Sequence, residues 1–342
     1  MDISIIIPAF NEESTIIAVL RELEEYMNGY LPKGKWEIVV VNDGSSDNTV
    51  AILEQFSKKN KWLSLVDLVA HQGRGKALRS GFDHAQGDVV ATLDADLSYA
   101  PYHIERMIEA LRRENADMVV ASAFRKDGTV KNVPMKRLFL SKVGNEILSY
   151  MFGKKVTTLT CLVRVYKREF LDRLDLYSNE KEIHLEILYK AKMLNAKIVE
   201  VPADLYWRET KFSKPAEKGV QKRRSTLKVK ETSNSHLFFA MLNKPGLIFW
   251  IPGMILFLIA FIILILTTHS VVLNVIAGES IYNSIRMTML NAAPSWLTMT
   301  ILFIVGVQFF TLGFITNQNK SNYEANYQTL NAIYCELKKR KK

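Results

Sequence analysis

Two stretches without a single charged side chain constrain this chain more than any other feature. The first runs from Leu247 to Thr268, and the second from Trp296 to Thr316, where Gln308 is the only strongly polar side chain. A helix rises about 1.5 Å per residue, so roughly 20 residues cross a hydrocarbon core of about 30 Å. Both runs are long enough, and a core helix of a soluble protein rarely sustains such a run without a polar face. The sequence therefore predicts two transmembrane helices, at 246–268 and 295–316, joined by a connector at 269–294. Overall composition, with 48% hydrophobic and 23% charged residues, conceals them.

Flanking charge sets the orientation. Nine Lys and Arg lie between Lys211 and Lys244, among them Lys222-Arg223-Arg224, and the chain closes Lys338-Lys339-Arg340-Lys341-Lys342. The stretch from His269 to Asn291 holds one Arg and one Glu. The positive-inside rule then places the N-terminal domain and the C-terminal tail in the cytoplasm and the connector outside. The expected organisation is a cytoplasmic domain at 1–215, a basic amphipathic juxtamembrane segment at 216–245, the two spans, and a basic tail at 317–342. This describes an integral protein of a plasma or endoplasmic-reticulum type membrane, with the bilayer as a partner. The net charge of +10 fits that partner, since juxtamembrane basic residues are drawn to anionic lipid at about 1 kcal/mol each. Nucleic acid is not expected, because the basic excess sits beside the spans and no nucleic-acid motif accompanies it. Cys161 and Cys335 are too few and too isolated for a disulfide framework or a metal site, and reduced thiols suit a cytoplasmic compartment. The first apolar run, Ile3 to Ile7, is too short for a signal peptide and stops at Pro8.

Residues 1–125 repeat a simple alternation. Short apolar strands are expected at Ile3–Ile7, Glu37–Val41, Leu63–Leu68, Asp88–Leu93 and Asp117–Ala121. Between them lie helical patterns: one with Ile16, Ile17, Leu20 and Leu23 on a single face, then Thr49–Phe56, Ala77–Ala85, and Pro101–Glu114 with proline at its start. Such an order implies a mostly parallel, Rossmann-like α/β sheet with helices on both faces. Ligands of these sheets bind outside the carboxyl ends of the strands. A further helix, Met135–Phe152, alternates apolar residues with Lys136, Arg137 and Lys142, which suits either core packing or a membrane surface. Val220–Leu242 is a second basic candidate for the surface.

Three strand ends put acidic or polar groups on one rim: Pro8-Ala9-Phe10-Asn11-Glu12-Glu13, Asn42-Asp43-Gly44-Ser45-Ser46-Asp47, and Asp94-Ala95-Asp96-Leu97-Ser98. Asn, Asp and Ser at strand ends also cap helices and build turns, and that reading stays open for Ser45–Thr49 and Glu13. Asp94 and Asp96 differ. Two carboxylates one residue apart repel unless a cation or proton intervenes, and Mg²⁺ or Mn²⁺ typically takes one or two carboxylates plus phosphate oxygens. After strand three, His71-Gln72-Gly73-Arg74-Gly75-Lys76-Ala77 lacks the spacing of a nucleotide-hydrolase phosphate loop. It either brings Lys76 to a diphosphate at a helix N-terminus or forms a plain tight turn.

In order and spacing these segments resemble glycosyltransferase family 2, which has the GT-A fold. The resemblance rests on Ile-Ile-Ile-Pro-Ala-Phe-Asn-Glu-Glu, Val-Val-Val-Asn-Asp-Gly-Ser-Ser-Asp and Leu-Asp-Ala-Asp-Leu. It continues through Leu159–Glu169, Glu186–Ala191, Val199–Pro202 and Arg208–Lys214, where the chain is most similar to dolichyl- and polyprenyl-phosphate mannose or glucose synthases. The resemblance implies that Pro8, Ala9, Glu12, Val41 and Asp43 hold the base and ribose of a nucleotide sugar. It implies a metal at Asp94 and Asp96, the catalytic pair, and phosphate contacts from Arg208 and Lys214. Relatives often read Gly-Ser-Arg where this chain has Ala121-Ser122-Ala123, so Arg125 is expected to stand in for the missing arginine. A Gly-Phe pair is likewise replaced by Leu162-Val163.

The implied reaction is inverting transfer of a hexose, from GDP-mannose or UDP-glucose, to a polyprenyl or dolichyl phosphate. Two alternatives stay beside it: transfer to a glycolipid hydroxyl, and a non-catalytic membrane scaffold that kept the fold. Processive synthesis is not expected, because Tyr206-Trp207-Arg208 does not match Gln-x-x-Arg-Trp. The spans are also compatible with a homo-oligomer, although Gly306 and Gly313 do not form Gly-x-x-x-Gly.

Overall fold

The computed structural model of the chain describes residues 2–151, 156–206 and 244–340. It divides into two compact units: residues 1–240 with 331–342, and residues 241–330.

The first unit is a layered α/β domain. Its elements run β1 (Ile3–Ala9), α1 (Ile16–Tyr30), β2 (Trp36–Asp43), α2 (Thr49–Ser57), β3 (Leu63–Leu68), α3 (Arg74–His84), β4 (Val89–Thr92), α4 (Tyr102–Arg113) and β5 (Met118–Ser122). Then follow β6 (Thr129–Lys131), α5 (Met135–Met151), β7 (Arg164–Lys167), α6 (Arg168–Leu171), α7 (Ile183–Met193), β8 (Ile198–Pro202) and β9 (Asp204–Tyr206). The seven-stranded sheet has the order β3-β2-β1-β4-β7-β5-β8, and β6 pairs with β9 in a small parallel ribbon. Strand β7 alone runs antiparallel, between β4 and β5. All five expected strands and the four expected helices around them are present to within a few residues. The insertion of β7 was not expected, because Arg164-Val-Tyr-Lys167 is too short and too charged to announce a central strand.

Strands β1 and β2 read as continuous apolar runs because helices cover both their faces, and every residue from Ile5 to Ile7 and Ile38 to Val41 is fully buried. Helix α3 lies close on them: a Cβ at Gly81 would come within 2.4 Å of Ile6 Cγ2 and 3.2 Å of Val41 Cγ2. Chain order reverses beside β1, since β2 and β3 build outward on one side while β4 pairs with β1 on the other. The crevice at that switch point, outside the carboxyl ends of β1 and β4, is where such sheets bind ligands.

The second unit contains α8 (Pro245–Ile276), α9 (Ile281–Asn291) and the first part of α10 (Ala293–Arg340). Two helices, Pro245–Ile276 and Ala293–Leu337, are long and apolar enough to cross a membrane, and only 11% of each apolar window is buried. A core helix of a soluble domain would be covered instead. The buried positions on α8 include Gly246, Gly253, Ala260 and Thr267, one small residue every seventh position. Opposing aromatics use these gaps: the Phe257 ring lies 5.3 Å from Phe310 and 5.4 Å from Phe303, and Gly306 and Gly313 face Phe257 and Trp250. The helices outrun the expected span limits. Helix α8 continues past 268 until Gly278, at φ +100°, and α10 continues through the expected tail because no Gly or Pro interrupts 317–340.

Candidate active site

Three loops at the switch point are tied to one another through side chains that satisfy backbone amides. Ser45 Oγ accepts from Asn11 N at 2.9 Å, and Asn11 Oδ1 accepts from Ser46 N at 2.8 Å. Thr49 Oγ1 accepts from Glu12 N at 2.9 Å, Asp47 Oδ2 from Glu13 N at 3.2 Å, and Glu13 Oε2 from Asn48 N at 2.9 Å. The polar strand ends are therefore structural first: they close the loops after β1 and β2 against each other. Asn11 adopts φ 55°, a conformation that Asn tolerates better than most residues.

Asp43 fixes the third loop. Its carboxylate accepts from Gln72 N at 2.8 Å and Gly73 N at 3.1 Å, and pairs with His71 Nδ1 at 2.9 Å. The His71 ring in turn packs on Phe10, centroids 4.4 Å apart. Of the residues expected around the base and ribose, Val41 is fully buried in the sheet, and Ala9 and Asp43 are nearly so. Pro8 and Glu12 are half-buried on the rim, beside the exposed Phe10 and His71. Val41 thus belongs to the core, because an inner strand covered on both faces leaves no surface for a ligand.

The turn after β3 differs from expectation in a second way. The amides of Gly75 and Lys76 are already satisfied by the Asn179 carbonyl, at 2.6 and 3.0 Å, so the start of α3 is capped by protein. The basic side chain that reaches the acidic rim from this turn is Arg74, with Nη1 at 3.6 Å from Asp94 Oδ1. Arg74 stands inside the segment singled out from sequence, and only the glycine-bounded turn decides that it and not Lys76 faces Asp94. That turn is braced from below. Glu186 accepts from Tyr177 N, Ser178 N and Lys190 Nζ at 2.9, 2.8 and 2.7 Å. Burial pushes the Glu186 carboxyl up, but the Lys190 ammonium and those amides outweigh it and hold the carboxyl below its usual value.

Asp94 follows β4, a quarter exposed, and Asp96 is exposed beyond it. Asp96 Oδ1 accepts from Ser98 N and Oγ at 2.9 and 2.7 Å, which fixes the carboxylate's direction. Between them and Ser98, buried Leu97 sits at φ 48°, a strained conformation for a branched side chain of order 1–3 kcal/mol. Burial pushes the Asp94 carboxyl above its usual value; Arg74 opposes this, while Asp96 and Glu12 add to it. Two carboxylates with a third nearby are a donor set that a divalent oxygen-seeking cation would relieve. Among the described residues no group of three or more His, Cys, Asp or Glu is placed to hold a metal. A cation at Asp94 and Asp96 would therefore complete its shell with phosphate oxygens and water, as Mg²⁺ commonly does.

The segment Leu159–Arg164 forms the far wall. Arg164 is fully buried, and its guanidinium donates to the carbonyls of Leu159, Cys161 and His184 at 2.6, 2.9 and 3.1 Å. Thr92 Oγ1 donates to Leu162 O at 2.5 Å, so β4 and this wall are tied directly. Burial and then the Asp94 charge push the Cys161 thiol up to about 11. The same two influences, with Cys161 between them, hold the Tyr99 hydroxyl well above its ordinary value. Arg125, expected to reach phosphate, is exposed and donates to the Glu200 carbonyl instead, because the turn after β5 leads it along β8. Arg208, Lys214 and nearly all of the segment 216–245 lie outside the described residues.

The sheet order and its acidic rim define a GT-A fold. Residues 4–175 match the pattern of glycosyl transferase family 2, half of the chain, and the protein belongs to that family. It is similar to polyprenol monophosphomannose synthase of Mycolicibacterium smegmatis, 29% identical over 234 residues that cover 66% of this chain and 85% of the relative. Among solved structures it is similar to glucosyl-3-phosphoglycerate synthase from Mycobacterium tuberculosis, crystallised with Mn²⁺, UDP and phosphoglyceric acid. That likeness has a TM-score of 0.51 at 17% identity and covers 71% of this chain and 78% of the other. A likeness to S. aureus TarS 1–349 has a TM-score of 0.44 at 20% identity, and this chain spans 60% of that structure.

Proposed function

We propose that the protein is a membrane-bound inverting hexosyltransferase that moves a sugar from GDP-mannose or UDP-glucose to a polyprenyl or dolichyl phosphate. One observation carries the reading: Asp94, Asp96 and Arg74 converge at the switch point of a family 2 sheet, beside the braced wall Leu159–Arg164. The relative from M. smegmatis supports a polyprenyl phosphate acceptor, and the two long apolar helices support a bilayer as the place where it is met.

Asp94 and Asp96 would hold Mg²⁺ or Mn²⁺, which when bound supplies Lewis-acid neutralisation of the charge growing on a departing diphosphate. Arg74 brings a permanent positive charge to the same place. The tied loops after β1, β2 and β3 fix the donor's attitude before reaction, which removes orientational entropy from the barrier. An oxygen of the acceptor phosphate forms a bond to the anomeric carbon while the bond to the diphosphate breaks. Its electron pair leaves with the nucleoside diphosphate, and configuration inverts. The acceptor phosphate is already an anion at neutral pH, so no proton has to be removed. Tyr99 and Cys161 accordingly keep theirs. In this reading the catalytic domain and the chain's C-terminus face the cytoplasm, the side on which Lys and Arg predominate.

The test is transfer of radiolabel into organic-extractable lipid, with purified protein, a panel of nucleotide sugars, Mg²⁺ or Mn²⁺, and a polyprenyl phosphate. Metal-dependent label in a mild-acid-labile lipid, lost in Asp96→Asn, is the expected result and names the sugar. Donor binding with label only in a glycolipid overturns the acceptor, and absence of any donor binding overturns the enzyme.

A further inference from the structure

Helix α5 is amphipathic in the reverse of the usual sense. Its apolar Met135, Phe139 and Val143, spaced four residues apart on one face, are 81%, 68% and 36% exposed. A Cβ added at the neighbouring Gly144 would meet nothing within 4 Å, so this side stands open. The polar residues are the buried ones. Asn145 is 4% exposed, its Oδ1 accepts from Leu159 N at 2.9 Å, and its Nδ2 donates to Ser141 O at 3.0 Å. Ser149, one turn on, is buried as well. A surface helix of a water-soluble domain buries its apolar stripe. The opposite arrangement is stable where the outer medium is itself apolar.

The charge around the stripe says which medium. From Thr129 to Asn145 the sequence carries Lys131, Lys136, Arg137 and Lys142 and no Asp or Glu. A basic, apolar-faced helix fits the boundary between headgroups and acyl chains of an anionic bilayer, with the stripe in the acyl region and the ammonium and guanidinium groups among lipid phosphates. A bilayer is at hand, because the same chain carries two helices able to cross one.

We propose that the outer face of α5 is a docking surface for anionic lipid, through which the catalytic domain itself, and not only its anchor, sits on the membrane. The connection to chemistry runs through Asn145. It holds Leu159 at the start of the wall, whose Thr157 and Thr158 amides bond to Glu200 at 2.7 and 3.0 Å and whose Leu159 and Cys161 carbonyls are held by Arg164. Seating α5 on lipid therefore fixes the wall that lies beside Asp94. The inference goes beyond the proposed reaction and is tested without turnover.

The experiment places a nitroxide at residue 135, 139 or 143, or at exposed Glu54 on α2 as reference, in full-length protein carrying Cys335→Ser. Cys161 is left in place because it is buried. Proteoliposomes are made with phosphatidylglycerol or with phosphatidylcholine alone. Collision with oxygen, which concentrates in acyl chains, is compared with collision with a water-soluble nickel chelate. The expected result is a ratio favouring oxygen at 135, 139 and 143, reversed relative to residue 54 and stronger with phosphatidylglycerol. Nickel access at 139 equal to that at 54 overturns the proposal, since the stripe then faces water. Exclusion of both reagents also overturns it, since protein, from this chain or a second copy, then covers the stripe.

Discussion

The two units handle buried polarity and close approach in opposite ways. In the catalytic unit the crowded places are polar: Glu186 meets two amides and an ammonium, Arg164 meets three carbonyls, and Asp43 meets a loop. Its glycines exist so that backbone can approach backbone, as at Gly75, where a Cβ would lie 2.4 Å from Ser178 O. In the hairpin of α8 and α10 the crowded places are apolar. There the glycines receive rings, as at Gly306, where a Cβ would lie 3.1 Å from the Phe257 ring. The difference follows from the surroundings. A domain in water must satisfy every polar group that it hides, whereas a pair of apolar helices gains nothing from apolar contact in lipid except fit, and small residues supply fit.

The comparison is sharpened first at the acidic rim, where polarity serves chemistry and not folding. Asp96→Asn should lower transfer by about 10²–10³-fold, the scale of losing one preorganised electrostatic group, while leaving thermal unfolding nearly unchanged. A parallel loss of folding would assign Asp96 to structure instead. Next comes Glu186→Gln, which leaves the Lys190 charge buried without its counter-ion and should cost about 3 kcal/mol at neutral pH. Here the sign can be followed. The folded carboxyl is held below its usual value, so its ionised form stabilises the fold above the unfolded value, and that stability disappears as pH falls through the folded one. The gap between wild type and Glu186→Gln in thermal unfolding should therefore close in acid, and a gap that is constant with pH would break the argument.

Gly75→Ala tests the approach of backbone to backbone and should cost about 1–3 kcal/mol, because neither Ser178 O nor Asn179 can yield cheaply. Arg74→Ala should raise the KM for the nucleotide sugar about tenfold, roughly 1.4 kcal/mol, with Arg74→Lys partly restoring it, since charge is kept but the forked geometry is not. The smallest effect is expected in the hairpin. Gly306→Ala should change thermal unfolding in detergent by less than about 1 kcal/mol, because the Phe257 ring can move by a few tenths of an ångström. If Gly306→Ala proved costlier than Gly75→Ala, the contrast between the units would fail.

Much was legible in the chain itself. Apolar runs of strand length alternating with helical periodicity determined the parallel sheet, and the absence of charge from Leu247 to Thr268 and from Trp296 to Thr316 determined the two long apolar helices. Asp94 and Asp96 stood out because two carboxylates so close need a partner. These signals are local: each is a property of a few consecutive side chains and their period. What only the tertiary structure decided depends on partners far away in sequence. Whether Arg74 or Lys76 turns toward Asp94 is settled by Asn179, a hundred residues on, which caps α3 and excludes a Cβ at Gly73 and Gly75. Val41 became core and Asp43 a loop brace because α3 and the turn at His71 close over them, and Arg125 was led to the Glu200 carbonyl by the pairing of β5 with β8. The helix at Met135 read equally well as core or surface, since an amphipathic pattern records that two faces differ and not which one points outward. That choice is made by Asn145, whose one good set of hydrogen bonds lies inside the domain.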